Sequence, residues 1–553
     1  MFFRRAVVVL LLIVTAQAQD RSHARSMVIT RDGIVATTHV QASVAGAQIL
    51  AKGGSAVDAA IAANAVLGAT EPMMNGIGGD LFAIYWDAKT GKLYGLNSSG
   101  WAPQGLTPEH LKAKGAQTMP LEGIDAVTVP GAVAGWNALH GKFGRLSLEE
   151  ILQPAIYYAD HGYPVPELIH AFWDDARDTI ADDPESRRVY LPDGKVPQVG
   201  QIFHNLDLAK ALRLIASQGA SAFYKGEIAQ AILATSQAQG GTMLASDLAE
   251  FSPEWIKPIS TTYRGWTIYE LPPNGQGMAA LEMLNIMEAT PASPDGPSSV
   301  IELHKKIEAM KLAYADLDRY DADPRFAKVP VKGLLSKEYA QERSKLIDSD
   351  KANCATDFGK PPASETTYLS VVDRGGNIVS LIQSNYEEFG SGITVRGMGF
   401  VLQDRGALFS LDPASPNVLA PRKRPFHTII PAFMEKGDQH IGFGIMGGAN
   451  QPLAHAQFVS NFVDYGMNIQ AALENPRFTV SPKGGCNIVI ESRVPAEVRD
   501  KLTAKGHVLQ VDREYSTNMG RGQVVLHNSK TGVNYGASDA RADGSAEPEP
   551  PKY

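Results

Sequence analysis

The stretch that most restricts how this chain can fold is DKANCATDFGKPPASE, residues 350–365, which is polar, carries two prolines and has no apolar period. It reads as an exposed linker between a helix-rich part and a strand-rich part. Upstream, HVQASVAGAQILAKGGSAVDAAIAANAVLGATEP predicts two helices separated by Gly53-Gly54. The second is dense in alanine and nearly all apolar, so it belongs in a core. IGGDLFAIYWDAKTGKLYGLNSSG predicts a hairpin turning at Lys89-Thr90-Gly91. Helical patterns follow in LSLEEILQPAIYYADHG, PPNGQGMAALEMLNIME and SSVIELHKKIEAMKLAYADLDRY. Downstream of the linker, TTYLSVVD and GNIVSLIQS predict two strands around Arg374-Gly375-Gly376. Further strands are expected in GMGFVLQ, HTIIPAFM and HIGFGIM, then a helix in PLAHAQFVSNFVDYG. The tail at 542–553, ADGSAEPEPPKY, is expected to be disordered. The fold class expected is α+β.

At 553 residues the chain exceeds what one hydrophobic core normally serves. With 59 acidic against 51 basic residues and no basic block, nucleic acid is not an expected partner. The start, MFFRRAVVVLLLIVTAQAQ, places Arg4 and Arg5 before an apolar run and Ala16-Gln17-Ala18 after it. This is a signal-peptide pattern over residues 1–18, and the run is short of the about 20 residues that span a membrane. A periplasmic or secreted protein is expected, with no stable membrane span. The sequence leaves open whether Cys354 and Cys486 are bridged or free.

Several motifs compete for the chemistry. GFGIMG, from Gly442 to Gly447, matches a dinucleotide fingerprint, with Asp464 about 20 residues on. A second strand should then end at that acid, but DYGMNIQAALENPRF runs into a helical pattern. Glycines after a strand can instead aim backbone N–H groups at a developing oxyanion. Gly390-Ser391-Gly392 lacks the spacing of a serine-hydrolase elbow. His427, His440 and His455 form no metal-ligand pattern. Thr366 and Thr367 remain. A threonine hydroxyl needs a base, and a threonine at a chain terminus carries its own in the free α-amine. Attack of the Thr366 hydroxyl on the Glu365 carbonyl, acyl shift and hydrolysis would create that terminus. The competing reading is that both threonines are strand formers.

The blocks AKGGSAVDAAIAANAVLGATEPMMNGIGG, VTVPGAVAGW, LPPNGQG, TTYLSVVDRGGNIVSLIQS, FGSGI, MGGANQP and YGASDARADG occur in this order along nearly the whole chain. With them the chain resembles the γ-glutamyltransferase (glutathione hydrolase) family of N-terminal nucleophile hydrolases. The resemblance implies a precursor that cuts itself between Glu365 and Thr366. Residues 19–365 and 366–553 would then be large and small subunits that stay associated and jointly form an αββα sandwich. It also implies Thr366 as nucleophile and base, Ser384 as a hydroxyl touching the nucleophile, and Gly447 and Gly448 as oxyanion donors. No cofactor or metal is implied.

Other positions depart from the family. Ser99 stands where an arginine grips the α-carboxylate of a glutamyl group, and Leu408 where an acid holds its amino group. His427 and Thr428 stand for a serine pair, Tyr386 for an asparagine, and the lid segment DPASPNVLAPRKRP is short. Arg405 is a candidate replacement cation, its alternative being a surface arginine. Losing two charge-assisted contacts removes roughly 1.5–3 kcal/mol each. The sequence thus resembles the divergent branch that includes cephalosporin-acylase-like and oxamate-amidohydrolase-like proteins. An amide hydrolase, with acyl transfer as a further option, is expected to act on a small amide other than an ordinary γ-glutamyl one. The alternatives are a glutathione hydrolase/transpeptidase with a rearranged clamp, and a processed but inactive small-amide binding protein.

Overall fold

The strand Glu365–Val372 carries apolar side chains at both odd and even positions, Tyr368 and Val372 on one parity and Leu369 and Val371 on the other, so both of its faces need cover. In the computed structural model, which describes residues 23–356 and 365–551, both faces are buried. Tyr368 and Val372 point into a layer shared with Phe82, Ile84, Ile382, Phe433, Met446 and Val525. Leu369 and Val371 point the other way, onto the alanine-rich helix Ala56–Thr70. Burying each such aliphatic or aromatic side chain contributes roughly 1.5–3 kcal/mol, before entropy is charged.

That helix forms because Ser55 caps its first turn while the Asp58 carboxylate reaches back to the Ser55 N–H at 2.8 Å. Its alanines leave room for the sheet to approach closely.

Two seven-stranded antiparallel sheets form the centre. The first runs, in spatial order, Ser545–Pro548, Ile34–Thr37, Glu365–Val372, Ile378–Tyr386, Asp80–Asp87, Lys92–Ser98 and Glu254–Ile256. The second runs Val28–Thr30, Val533–Ser538, Arg521–Asn528, Gln439–Met446, Ala432–Lys436, Trp266–Glu270 and Ile259–Tyr263. The sheets face each other, and the Ser370 hydroxyl donates across the gap to the Gly442 carbonyl at 2.9 Å. The outer face of the second sheet packs Met434, Ile441 and Ile445 under the helices Gly277–Glu288, Val300–Tyr320 and Gln451–Val463. The result is an αββα sandwich in which both sheets draw strands from each side of residue 365.

Several expectations need correction. GMGFVLQ is not a strand. Gly397 and Gly399 adopt positive φ, and Val395 N–H closes a loop onto the Phe400 carbonyl at 2.9 Å. In HTIIPAFM the strand begins only at Ala432, because Pro431 has no N–H to give and the Ile430 N–H goes to the Gln451 side chain at 3.0 Å. The tail is not disordered over Ser545–Pro548, which pairs with Ile34–Thr37 and so covers an open sheet edge. The signal-peptide expectation, and residues 357–364 of the linker, lie outside the described residues. Cys354 and Cys486 are bridged. Among the described residues, no helix is long and apolar enough to cross a membrane.

Candidate active site

Thr366 sits at a fault in its own sheet. Glu365 pairs with Tyr386 and Thr367 with Gln383, so Thr366 faces two residues, Ser384 and Asn385. Such a bulge turns side chains away from the regular alternation. The buried Thr366 Oγ1 donates to Ser384 Oγ at 3.2 Å, and the Tyr386 N–H donates to the same oxygen at 2.8 Å. Gly79 presses against this backbone. A Cβ there would lie 2.3 Å from the Ser384 carbonyl oxygen, so the turn NGIGGD admits only glycine at this point.

The contacts continue into a chain that ends at the glycine pair. The Arg405 guanidinium lies over the Tyr386 ring, 4.7 Å from its centroid. Arg405 Nη1 donates to Thr428 Oγ1 at 2.7 Å. The Thr428 carbonyl accepts from Gln276 Nε2, which also donates to the Gly448 carbonyl at 2.8 Å. Gly447 and Gly448 follow the strand Gln439–Met446 and precede the helix Gln451–Val463, with φ of 136° and 54°. Backbone N–H groups at a helix start form an anion-binding environment.

Arg405 is fully buried, and among the described residues its Nε and Nη2 have no hydrogen-bond partner. Burial lowers its pKa to about 10, so it remains a cation at neutral pH. The adjacent Asp404 carboxyl is pushed up to about 8 by burial; its Oδ1 accepts from the Glu387 N–H at 3.2 Å, and among the described residues its Oδ2 has no partner. Asp80, paired across the sheet with Ser384, accepts at Oδ1 from Gly100 N–H, Gly131 N–H and Gln403 Nε2. Burial still raises Asp80 to about 6.

His427 is engaged elsewhere. The Ile429 N–H points at its Nδ1 from 3.4 Å, which leaves Nε2 to donate to Asp80 Oδ2 at 3.1 Å. Burial holds this imidazole neutral. The Ser99 hydroxyl donates to Asn97 Oδ1 at 2.8 Å and accepts from Asn274 Nδ2 at 3.2 Å. The structure therefore joins Thr366, Ser384, Tyr386, Arg405, Thr428 and Gly448 through direct contacts, while His427 and Ser99 are tied into neighbouring networks.

A cavity of about 930 Å³ has Gln276 and Ala449, the residue after the glycine pair, in its wall and Leu408, Phe409 and Phe426 as an apolar side. Gln276, Asp80 and Asp404 were not singled out from the sequence. Each left a signal: a glutamine between glycines in LPPNGQG, a charge opening the apolar strand DLFAIYWD, and an acid beside Arg405 in LQDRG. Elsewhere, His304, Glu308 and His507 bring ligand-type atoms within 4.8 Å of one another. Glu308 there accepts from Lys311 Nζ at 2.6 Å and from the Asn353 N–H at 3.1 Å, and the two histidines bond each other at 2.8 Å.

A family model described as Gamma-glutamyltranspeptidase matches residues 42–549. The protein named Glutathione hydrolase-like YwrD proenzyme, from Bacillus subtilis (strain 168), is 37% identical over 524 residues, covering 94% of this chain and 99% of its own. The Acylase ACY 1 proenzyme of Pseudomonas sp. (strain SE83) is 35% identical over 527 residues, covering 93% of each chain. The crystal structure of cephalosporin acylase from Bacillus halodurans superposes with a TM-score of 0.89 at 42% identity, covering 97% of this chain and 99% of that one.

Proposed function

Because this chain belongs to the gamma-glutamyltranspeptidase family, whose members are proenzymes processed into two associating subunits, we propose that its nucleophile is Thr366, freed by a cut after Glu365. The protein is an amide hydrolase of the N-terminal nucleophile type. In the precursor, Thr366 Oγ1 attacks the Glu365 carbonyl carbon. The acyl group moves from nitrogen to oxygen, and water hydrolyses the ester. The new α-amine, with a pKa of roughly 8, then takes the hydroxyl proton as Oγ1 attacks a substrate amide. The N–H groups of Gly447 and Gly448 receive the oxyanion, the amine leaves with a proton, and water releases the acyl group. Ser384 supports Thr366 in both reactions. Gln276 fixes the glycine loop by its bond to the Gly448 carbonyl.

The observation that carries this reading is the unbroken set of contacts from Thr366 Oγ1, through Ser384, Tyr386, Arg405, Thr428 and Gln276, to Gly448. The substrate is a small amide whose acyl half carries a carboxylate. Arg405 holds buried N–H groups on Nε and Nη2 that have no partner among the described residues, and a carboxylate satisfies such a fork in bidentate geometry. Leu408 offers no charge to a glutamyl amino group, which supports an acyl group other than γ-glutamate. The signal-peptide pattern and the Cys354–Cys486 bond both support a periplasmic or secreted site of action.

N-terminal sequencing of the purified protein tests the scheme. The smaller fragment should begin at Thr366, and Thr366→Ala should remain one uncut, inactive chain. A fragment starting elsewhere, or full turnover by Thr366→Ala, overturns it. Glutaryl and γ-glutamyl anilides separate the substrate readings, with the glutaryl compound expected to be the better one.

A further inference from the structure

The cavity that Gln276 and Ala449 line has five Asp, Lys or Arg residues in its wall: Lys112, Asp318, Arg319, Asp321 and Asp412. Four of them are exposed, and Asp321 alone is buried, at 3% exposure. Asp321 ends the helix Val300–Tyr320, its N–H bonded to the Leu317 carbonyl. Both its carboxyl oxygens are buried, and among the described residues neither has a hydrogen-bond partner. Leaving a buried polar group so is costly, and native interiors rarely tolerate it without a reason. Burial drives its pKa well above the usual carboxylate range. The group is therefore stored in its neutral form until a partner arrives.

The surroundings say which partner fits. The carbonyls at a helix C-terminus carry partial negative charge, which favours a cation over an anion. Phe409 and Phe426 line the same cavity and suit an apolar body. Arg405 is shut off from solvent, whereas the cavity wall includes exposed residues past which a product can depart.

Building on the reading of Gly447–Gly448 as oxyanion donors and Arg405 as the acyl reader, we infer that this cavity receives the leaving half of the amide and that Asp321 binds a cationic amino group on it. The substrate class is then an amide of a diamine with an apolar spacer: one nitrogen is released by the chemistry and the other is held by Asp321.

Calorimetric titration of the processed two-chain protein tests this without turnover. The probes are 4-(aminomethyl)aniline, which is cationic, and 4-methylaniline, its neutral counterpart. Wild type should bind the cation at least about tenfold more tightly, the ratio expected from one charge-assisted contact. Asp321→Asn should bring the two within about threefold and leave 4-methylaniline binding unchanged. Asp321→Ser is measured beside it in case the first variant does not fold. Equal affinities in wild type, or a gap that survives both variants, overturn the inference. Absence of self-cleavage or of glutaryl anilide turnover in wild type strikes the enzymatic reading instead, and the binding comparison stays readable.

Discussion

Cys354 and Cys486 are joined by a disulfide with Cα atoms 4.9 Å apart, and the Glu365–Thr366 bond lies between them in the chain. A cut at that bond leaves one cysteine on each subunit. The mature protein should therefore run as a single full-size band on a denaturing gel without reductant, and as two bands with it. Cys486→Ser should give two bands under both conditions and keep its activity, because the two parts share both sheets. Two bands from oxidised wild-type protein would count against the assignment of the cut.

Arg405 should decide acyl selectivity. Arg405→Met removes the buried fork while keeping an unbranched apolar stem. The KM for a carboxylate-bearing anilide should rise about 10- to 150-fold, the equivalent of roughly 1.5–3 kcal/mol, while a neutral acyl anilide changes little. Arg405→Lys should recover only part of the loss, since an ammonium lacks the planar fork and the stacking on Tyr386. An unchanged KM for the carboxylate substrate refutes the role.

Gln276 is a positioning residue, with one amide nitrogen serving the carbonyls of Thr428 and Gly448. Gln276→Leu frees the glycine loop to rotate its N–H groups. The kcat should fall about tenfold or more and self-cleavage should slow, with KM nearly unchanged, because the loss is felt at the oxyanion and not in the ground state. A rise in KM with constant kcat would place Gln276 in substrate binding instead.

Asp404 couples the site to pH. Its carboxyl is raised to about 8 in the folded protein by burial, whereas in the unfolded chain it titrates near its usual value of about 3.9. Between those values the unfolded chain loses the proton and the folded one keeps it. The stability this group contributes is thus full below about pH 4 and is lost as pH rises to about 8, at roughly 1.4 kcal/mol per pH unit. Asp404→Asn, neutral throughout, should melt near wild type at pH 4 and increasingly above it at pH 6 and pH 8. A gap that stays constant across that range refutes the assignment.

What the sequence determined by itself was local in origin. The apolar run in TTYLSVVD set a strand with two buried faces, Ser55 and Asp58 set a helix start, and the paired threonines after a polar linker were readable both as strand formers and as a cleavage point. These follow from side-chain period, capping and hydroxyl chemistry, which act over a few residues. Tertiary structure decided what depends on distant segments meeting. Gln276 reaches Gly448 across 172 positions, and the Cys354–Cys486 bond crosses 132. Arg405, equally readable as a surface residue, is buried against Tyr386 and Thr428, with two donors that have no partner among the described residues. Burial and the absence of a partner are properties of packed neighbours, and no local period encodes them.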